Sequence, residues 1–320
     1  MSPQAALGIS ECYLAEHVKE TRKTFRHLAT TLDGNLIAFG EFKRAVHIFD
    51  LTTGNRVSEI DTDLDFGGRR LAIDPNGEFC AVASYDKNSV SLYNVHGRHL
   101  WRRTDVDEVQ SVRFALDGKS LFCSHHFGTV SQFDVSTGEK IRFTWTKKEL
   151  YGVKNVYESS YDECLVIDQI ENDIRITNFQ LKHVATVKRK AFAILDCAFA
   201  PEFMCISESG GPVTCYHLES GRQVWELPFG SGVHALHLSY NEESKHFSAI
   251  AWHYKNGGPH ILLSITRHNG EIVTKTQLPD ASKFGFISCG KRLLLTTGDI
   301  MSATTGDQIG VLAVSTDSAK

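Results

Sequence analysis

No stretch of this chain approaches the roughly 18 uninterrupted apolar residues of a membrane helix. The start, MSPQAALGIS, has no basic segment followed by a long apolar run. Neither a membrane span nor a secretory leader is expected, and the expected compartment is the cytoplasm. A CxxC pair is also missing, which removes the commonest zinc and redox spacing. Basic residues are not in excess: 34 Lys and Arg stand against 38 Asp and Glu, a formal charge of −4. That balance gives no general attraction to phosphate backbones or anionic lipid, so nucleic acid and membrane are not the expected partners. There is no GxSxG elbow, and no Ser or Cys pairs with a His by spacing, so nucleophilic catalysis has no visible machinery. Gly210-Gly211-Pro212 and Gly257-Gly258-Pro259 lead into strands and read as turns rather than phosphate loops.

What is present is a repeated pattern. In Ser111–Phe143 four short apolar runs are separated by Asp117-Gly118, His126-Phe127-Gly128 and Thr137-Gly138, residue types that let the backbone reverse with little strain. Between them, β-branched and aromatic residues supply half-buried strands, so the segment predicts a four-stranded antiparallel meander. The same spacing recurs. First turns fall at Asp33-Gly34, Asn76-Gly77, Asp117-Gly118, Tyr161-Asp162, Pro201-Glu202, Asn241-Glu242 and Cys289-Gly290. Second turns fall at Thr53-Gly54, His96-Gly97, Thr137-Gly138, Leu181-Lys182, Ser220-Gly221, Asn269-Gly270 and Thr305-Gly306. Gly54 and Gly306 stand 252 residues and six units apart, or 42 per unit, a period that belongs to four-stranded propeller blades. Third strands recur as Val46–Asp50, Val90–Asn94, Val130–Asp134, Ile174–Asn178 and Val213–His217, each starting aliphatic and alternating. Of the eight cysteines, Cys80, Cys123, Cys164 and Cys205 fall in the second strand of successive units, where they read as small buried apolar side chains rather than a disulfide framework.

The units Thr31–Val57, Asp74–Trp101 and Phe114–Ile141 resemble repeats of the WD-repeat and YVTN-type propeller superfamily, with the shared line Val-x-x-Phe-Asp-x-x-Thr-Gly. The chain departs from the best-known marks. No unit carries the Gly-His pair, and the Trp-Asp position reads Phe49-Asp50, Tyr93-Asn94, Phe133-Asp134 and Tyr216-His217. The segments ending in Trp101 and Trp225 resemble quinoprotein-type blades as much. The resemblance implies an all-β fold, a seven-bladed propeller of four-stranded antiparallel blades, as one domain over residues 25–314. Residues 1–24 form an N-terminal segment with a candidate ring-closing strand at Cys12–Lys19, and 315–320 form a loose tail. The expected closure pairs N-terminal residues onto the last unit; the alternative is that Asp307–Val314 completes that unit alone.

On this fold the connections between second and third strands, and between one blade and the next, emerge on one face around the channel mouth. The aromatic residues Phe42, Tyr85, Phe127 and Tyr254 fall in the first set and suit a recognition surface. In the second set, Asp61–Asp65 and Asp105–Glu108 make one acidic sector, and Lys147-Lys148 and Lys188-Arg189-Lys190 a basic one. The entrance position of each first strand is read as Arg26, Arg69, Gln110, Lys154, Asp196, His234 and Lys283, a mostly cationic ring able to take a carboxylate, a phosphate or an acidic side chain. His234 and His237, and likewise His125 and His126, diverge in extended chain, so no metal site is expected. The expected function is non-enzymatic docking of a protein or peptide, with no cofactor. The rivals are a lactonase-like hydrolase drawing on Arg69, Asp196 and His234, and a quinone-binding redox enzyme.

Overall fold

The computed structural model describes residues 25–311 apart from residues 32, 42–44, 63–69, 85, 107, 116, 126–129, 145–152, 159–163, 170–172, 179–182, 189–193, 230–232, 242–243, 254–259, 279–285, 290–291, 296–298 and 303–307. The N-terminal segment 1–24 and the tail 315–320 lie outside the described residues. The chain folds into four-stranded antiparallel sheets, each ordered as its strands occur in sequence. The first four sheets are Phe25–Thr30, Leu36–Glu41, Ala45–Asp50 and Arg56–Asp61 (β1–β4); Leu71–Ile73, Phe79–Ser84, Ser89–Asn94 and His99–Arg103 (β5–β8); Val109–Phe114, Ser120–His125, Val130–Asp134 and Lys140–Thr144 (β9–β12); and Val153–Glu158, Cys164–Gln169, Ile174–Asn178 and His183–Val187 (β13–β16). The next three are Ile194–Ala200, Phe203–Glu208, Val213–His217 and Gln223–Leu227 (β17–β20); Val233–Asn241, His246–His253, His260–Thr266 and Ile272–Leu278 (β21–β24); and Phe286–Cys289, Arg292–Leu295, Asp299–Ser302 and Gln308–Val311 (β25–β28).

The core lies between sheets rather than at one centre. β5 and most of β17 are buried on both faces, because each face of these first strands meets a different neighbouring sheet. In β17, Cys197 and Phe199 pack with Ile174, Ile176 and Val187 of the preceding sheet, whereas Ala198 and Ala200 pack with Ala235, Leu238 and Phe247 of the following one. The first and second sheets share a core through Val46, Ile48, Leu71 and Ile73, and the second and third through Ala81, Leu92, Val112 and Leu121. The innermost strands β1, β5, β9 and β13 lie beside one another in turn, as do β17, β21 and β25, and β25 packs on β1. This is the arrangement of a β-propeller. The last sheet takes its fourth strand from Gln308–Val311; the N-terminal strand expected at Cys12–Lys19 lies outside the described residues. Cys80, Cys123 and Cys205 are fully buried free thiols, as are Cys197 and Cys215 nearby. Burial pushes the thiols of Cys80 and Cys215 up to about 12, which keeps them inert.

Every outer strand carries a one-residue bulge at an aliphatic residue: Val57, Leu100, Ile141, Val184, Val224, Val273 and Ile309. Leu100, Ile141, Val184 and Val273 are exposed there. A bulge twists the strand and interrupts its free hydrogen-bonding edge, which discourages edge-to-edge pairing with a second molecule.

Adjacent sheets are tied by one repeated hydrogen bond. The residue just past the bulge, Ser58, Trp101 or Trp225, donates its side chain to the carbonyl that follows the third strand of the next sheet. The distances are 2.5 Å to Val95, 2.8 Å to Val135 and 2.6 Å to Arg267. For the two tryptophans the glycine of the adjoining turn is required twice over. Gly138 and Gly270 have φ of 70° and 73°, and a Cβ on either would stand 2.8 or 2.7 Å from the indole ring.

The turns before Gly54 and Gly138 are held by carboxylates. Asp50 Oδ1 accepts from the Thr52 hydroxyl at 2.6 Å and the Thr52 N–H at 2.7 Å, and Asp134 Oδ1 accepts from the Ser136 hydroxyl at 2.6 Å and the Thr137 N–H at 2.9 Å. These bonds hold both carboxyls below their ordinary value. Burial holds the His234 and His246 imidazoles below theirs. All four groups bind protons less tightly in the folded chain than in the unfolded one, so each stabilises the fold above its unfolded pKa and loses that contribution as pH falls. Thermal melts should show stability declining from about pH 6.5 as the histidines titrate, and more steeply below about pH 4. Replacing Asp134 by Asn should flatten the lower limb; an unchanged lower limb would show that this turn carboxylate contributes nothing.

Candidate functional site

Four innermost strands share one irregularity at one register position. In β1, Phe25 pairs with Glu41 and His27 with Gly40, leaving Arg26 as an extra residue. In β9 the extra residue is Gln110, in β13 it is Lys154, and in β17 it is Leu195. A bulge adds a residue without a ladder partner and sharpens the local twist, a device common beside binding sites. Because Phe25 faces Glu41, the bulges lie at the end of the sheet from which the chain leaves β2 for β3. The entrance positions Arg26, Gln110 and Lys154, chosen from sequence spacing, thus occupy equivalent backbone positions in three sheets.

The other expected residues separate into two groups. Phe42, Tyr85, Phe127 and Tyr254 fall between the second and third strands of their sheets in chain order; these four, with Arg69 and Lys283, lie outside the described residues. Next to Arg69, Arg70 is buried at 4% exposure, and its carbonyl accepts from the Ala83 N–H at 2.9 Å. His234 stands opposite Trp252 in β21, and the bulge of that strand comes three residues later, at His237. The alternation that sends His234 and His237 to opposite faces holds only for an unbulged strand. Trp252 stacks on the buried His260, ring centroids 5.7 Å apart and nearly parallel.

Asp196 is one register position beyond Arg26, Gln110 and Lys154; Leu195 holds the position equivalent to theirs. It is only 4% exposed, and its carboxylate is engaged by the backbone. Oδ1 accepts from the Cys197 N–H and Oδ2 from the Leu238 N–H, both at 2.8 Å. Leu238 follows the bulge of β21, so Asp196 meets a donor that the interrupted ladder leaves over and ties the fifth sheet to the sixth. The spacing in sequence did not reveal this because a bulge changes the register without changing the composition.

Two serine and histidine contacts lie at the same end of the third sheet. Ser111 and Ser124 hydroxyls meet at 2.6 Å, and buried His125 Nε2 meets Ser131 Oγ at 2.8 Å. Within the acidic sector, Asp105 is already paired. It accepts from Arg103 Nε at 2.8 Å and Nη2 at 2.9 Å, and Lys140 Nζ lies 3.3 Å away. The Arg103 hydrogen bonds hold the Asp105 carboxyl well below the usual carboxylate range. Among the described residues no group of three or more His, Cys, Asp or Glu is gathered as a metal cage.

No protein-family model matches this chain, and no curated protein sequence matches it. Solved structures do share its fold. It is similar to U3-55K, with a TM-score of 0.69 at 14% identity over 85% of this chain and 88% of that one. It is similar to the WD40 repeats of RRP9, with a TM-score of 0.69 at 14% identity over 90% and 89%. It is also similar to Kuenenia stuttgartiensis hydrazine synthase, with a TM-score of 0.67 at 13% identity over 92% and 96%. At these identities the likeness supports a β-propeller fold and leaves function to the residues.

Proposed function

We propose that the seven sheets are the blades of one closed ring over residues 25–314, and that this ring is a non-enzymatic scaffold that docks an acidic protein or peptide segment at its bulged end. The observation that carries this reading is the shared register of Arg26, Gln110 and Lys154 at the bulges of β1, β9 and β13. Rigid strands hold these positions, so a bound carboxylate would meet cations already in place and little ordering entropy would be lost. Arg69 and Lys283 extend the same cationic mouth, His234 adds an imidazole that burial biases toward its neutral form, and Phe42, Tyr85, Phe127 and Tyr254 supply contact area around it. The WD40 repeats of RRP9 share this fold, which is compatible with a scaffold role. A lactonase-like site needs a carboxylate at the mouth, and Asp196 is spent on two backbone donors instead.

The test is capture of a stoichiometric partner from native lysate, followed by binding of its acidic segment as a synthetic peptide. Reversing charge in Arg26→Glu with Lys154→Glu should weaken the peptide by about tenfold or more. Lys275→Glu, on the exposed outer strand β24, should leave binding unchanged. Equal binding by all three proteins would exclude the mouth as the docking site.

A further inference from the structure

The opposite end of the molecule, where the hairpin turns lie, breaks the repeat at one position. The residue directly after the third strand is Leu51, Val95, Val135 or Leu218 in four sheets, and each is buried. In the sixth sheet the same position is Arg267, in the segment Thr266-Arg267-His268-Asn269-Gly270. Its backbone obeys the repeat, since its carbonyl receives the Trp225 indole N–H as Val135 receives that of Trp101. Only the side chain departs. A cation has been placed where the architecture elsewhere takes an aliphatic residue, in the seam between the fifth and sixth sheets.

Among the described residues, that cation is held by an aromatic ring and neutral groups rather than by a carboxylate. Its guanidinium lies over the Phe203 ring, Cζ 5.4 Å from the centroid. Nη1 donates to the Tyr240 hydroxyl at 3.4 Å, and Nη2 lies 3.1 Å from His268 Nε2. Nε is buried with no hydrogen-bond partner among the described residues. Arg267 forms no ion pair with any described carboxylate, including Glu202, Glu219 and Glu271 of the adjoining turns. Two imidazoles complete the cluster around the Phe203 ring edge: His217 at 5.7 Å and 84°, and His268 at 6.2 Å and 87°. A partly desolvated charge is costly unless an opposite charge meets it. Three nitrogen-bearing cationic or protonatable groups converge on one aromatic ring, and among the described residues no carboxylate is paired with them.

We propose that Arg267, His268 and His217, gathered around Phe203, form a binding site for a single phosphate monoester group. A guanidinium presents planar donors suited to phosphoryl oxygens, and each Nη keeps a second N–H; because His268 Nε2 accepts from Arg267 and His217 Nδ1 faces Ser220 Oγ, the imidazole donors would be His268 Nδ1 and His217 Nε2. One arginine and two histidines match one phosphoryl group rather than the extended backbone of a polyanion. This site lies at the end away from Arg26, Gln110 and Lys154, and does not depend on the docking role proposed for them.

The experiment is a titration of the full chain with inorganic phosphate, read by NMR at the imidazoles of His217 and His268, with chloride at matched ionic strength as control. Phosphate should shift both resonances saturably, and chloride should not. Arg267→Leu, which restores the residue type of Leu51 and Leu218, should keep or raise the melting temperature and weaken phosphate binding by about tenfold or more. Arg267→Lys keeps the charge but loses the planar fork, and should fall between the two. A phosphoserine peptide that binds more tightly than inorganic phosphate, while its unphosphorylated form does not bind, assigns the group to a protein partner; equal binding of peptide and phosphate assigns the site to the free anion. Absence of a saturable shift in the wild-type chain, or the same affinity in Arg267→Leu, would overturn the proposal.

Discussion

Trp225→Ala is expected to cost about 3–5 kcal/mol of stability, the range for deleting a large buried aromatic side chain. Three losses coincide. The indole packs against Phe247 at 6.2 Å within the core between the fifth and sixth sheets. It also covers Gly270, and its N–H holds the Arg267 carbonyl. Trp225→Phe separates these contributions: it keeps most of the ring, loses the hydrogen bond, and should cost about 1–3 kcal/mol less than the alanine change. Gly270→Ala approaches the same latch from the other side, and should destabilise through both its positive φ and the displaced indole. Denaturant melts of the three variants check this. Near-equal stability of Trp225→Ala and the wild type would mean that the seam is held by the strands alone.

Asp196→Ala is the second large effect, about 3 kcal/mol, because it leaves the Leu238 N–H buried with its acceptor gone. A bulge in mid-strand already removes one ladder bond there, so the neighbouring sheet has no backbone carbonyl to substitute. Asp196→Asn keeps one carbonyl oxygen and should recover a substantial part of the loss. Amide exchange gives the local reading: protection of Leu238 should fall sharply in Asp196→Ala while β22 stays protected. Uniform loss across the sheet would indicate general unfolding, and unchanged exchange at Leu238 would remove the tie from the account.

Much of the fold was legible because turn chemistry is local. Asp-Gly and Thr-Gly at a 42-residue period mark places where only certain residues let the chain reverse, and the strands between them follow. The third strands Val130–Asp134, Ile174–Asn178 and Val213–His217 match β11, β15 and β19 end to end. The outer strand of the last sheet was harder to read, because an N-terminal strand, the one expected, and Gln308–Val311 both offer an edge until pairing is known. Arg267 carried a signal that was there to be seen. Aligned on Gly54, Gly138 and Gly221, it is the one charged residue set against three aliphatic ones.

What the chain determines by itself is the repeat: where it turns, which runs become strands, and that both faces of the inner strands must be covered. Those follow from φ preferences and side-chain alternation, which act over a few residues. What only the assembled sheets decide is register across the seams. The one-residue bulges place Arg26, Gln110 and Lys154 at equivalent points, move Asp196 one step inward onto the Leu238 N–H, and bring Phe203 of one sheet under Arg267 of the next. The reason is physical: a bulge adds a residue to one strand without altering its composition, and the groups it brings together come from sheets about 40 residues apart.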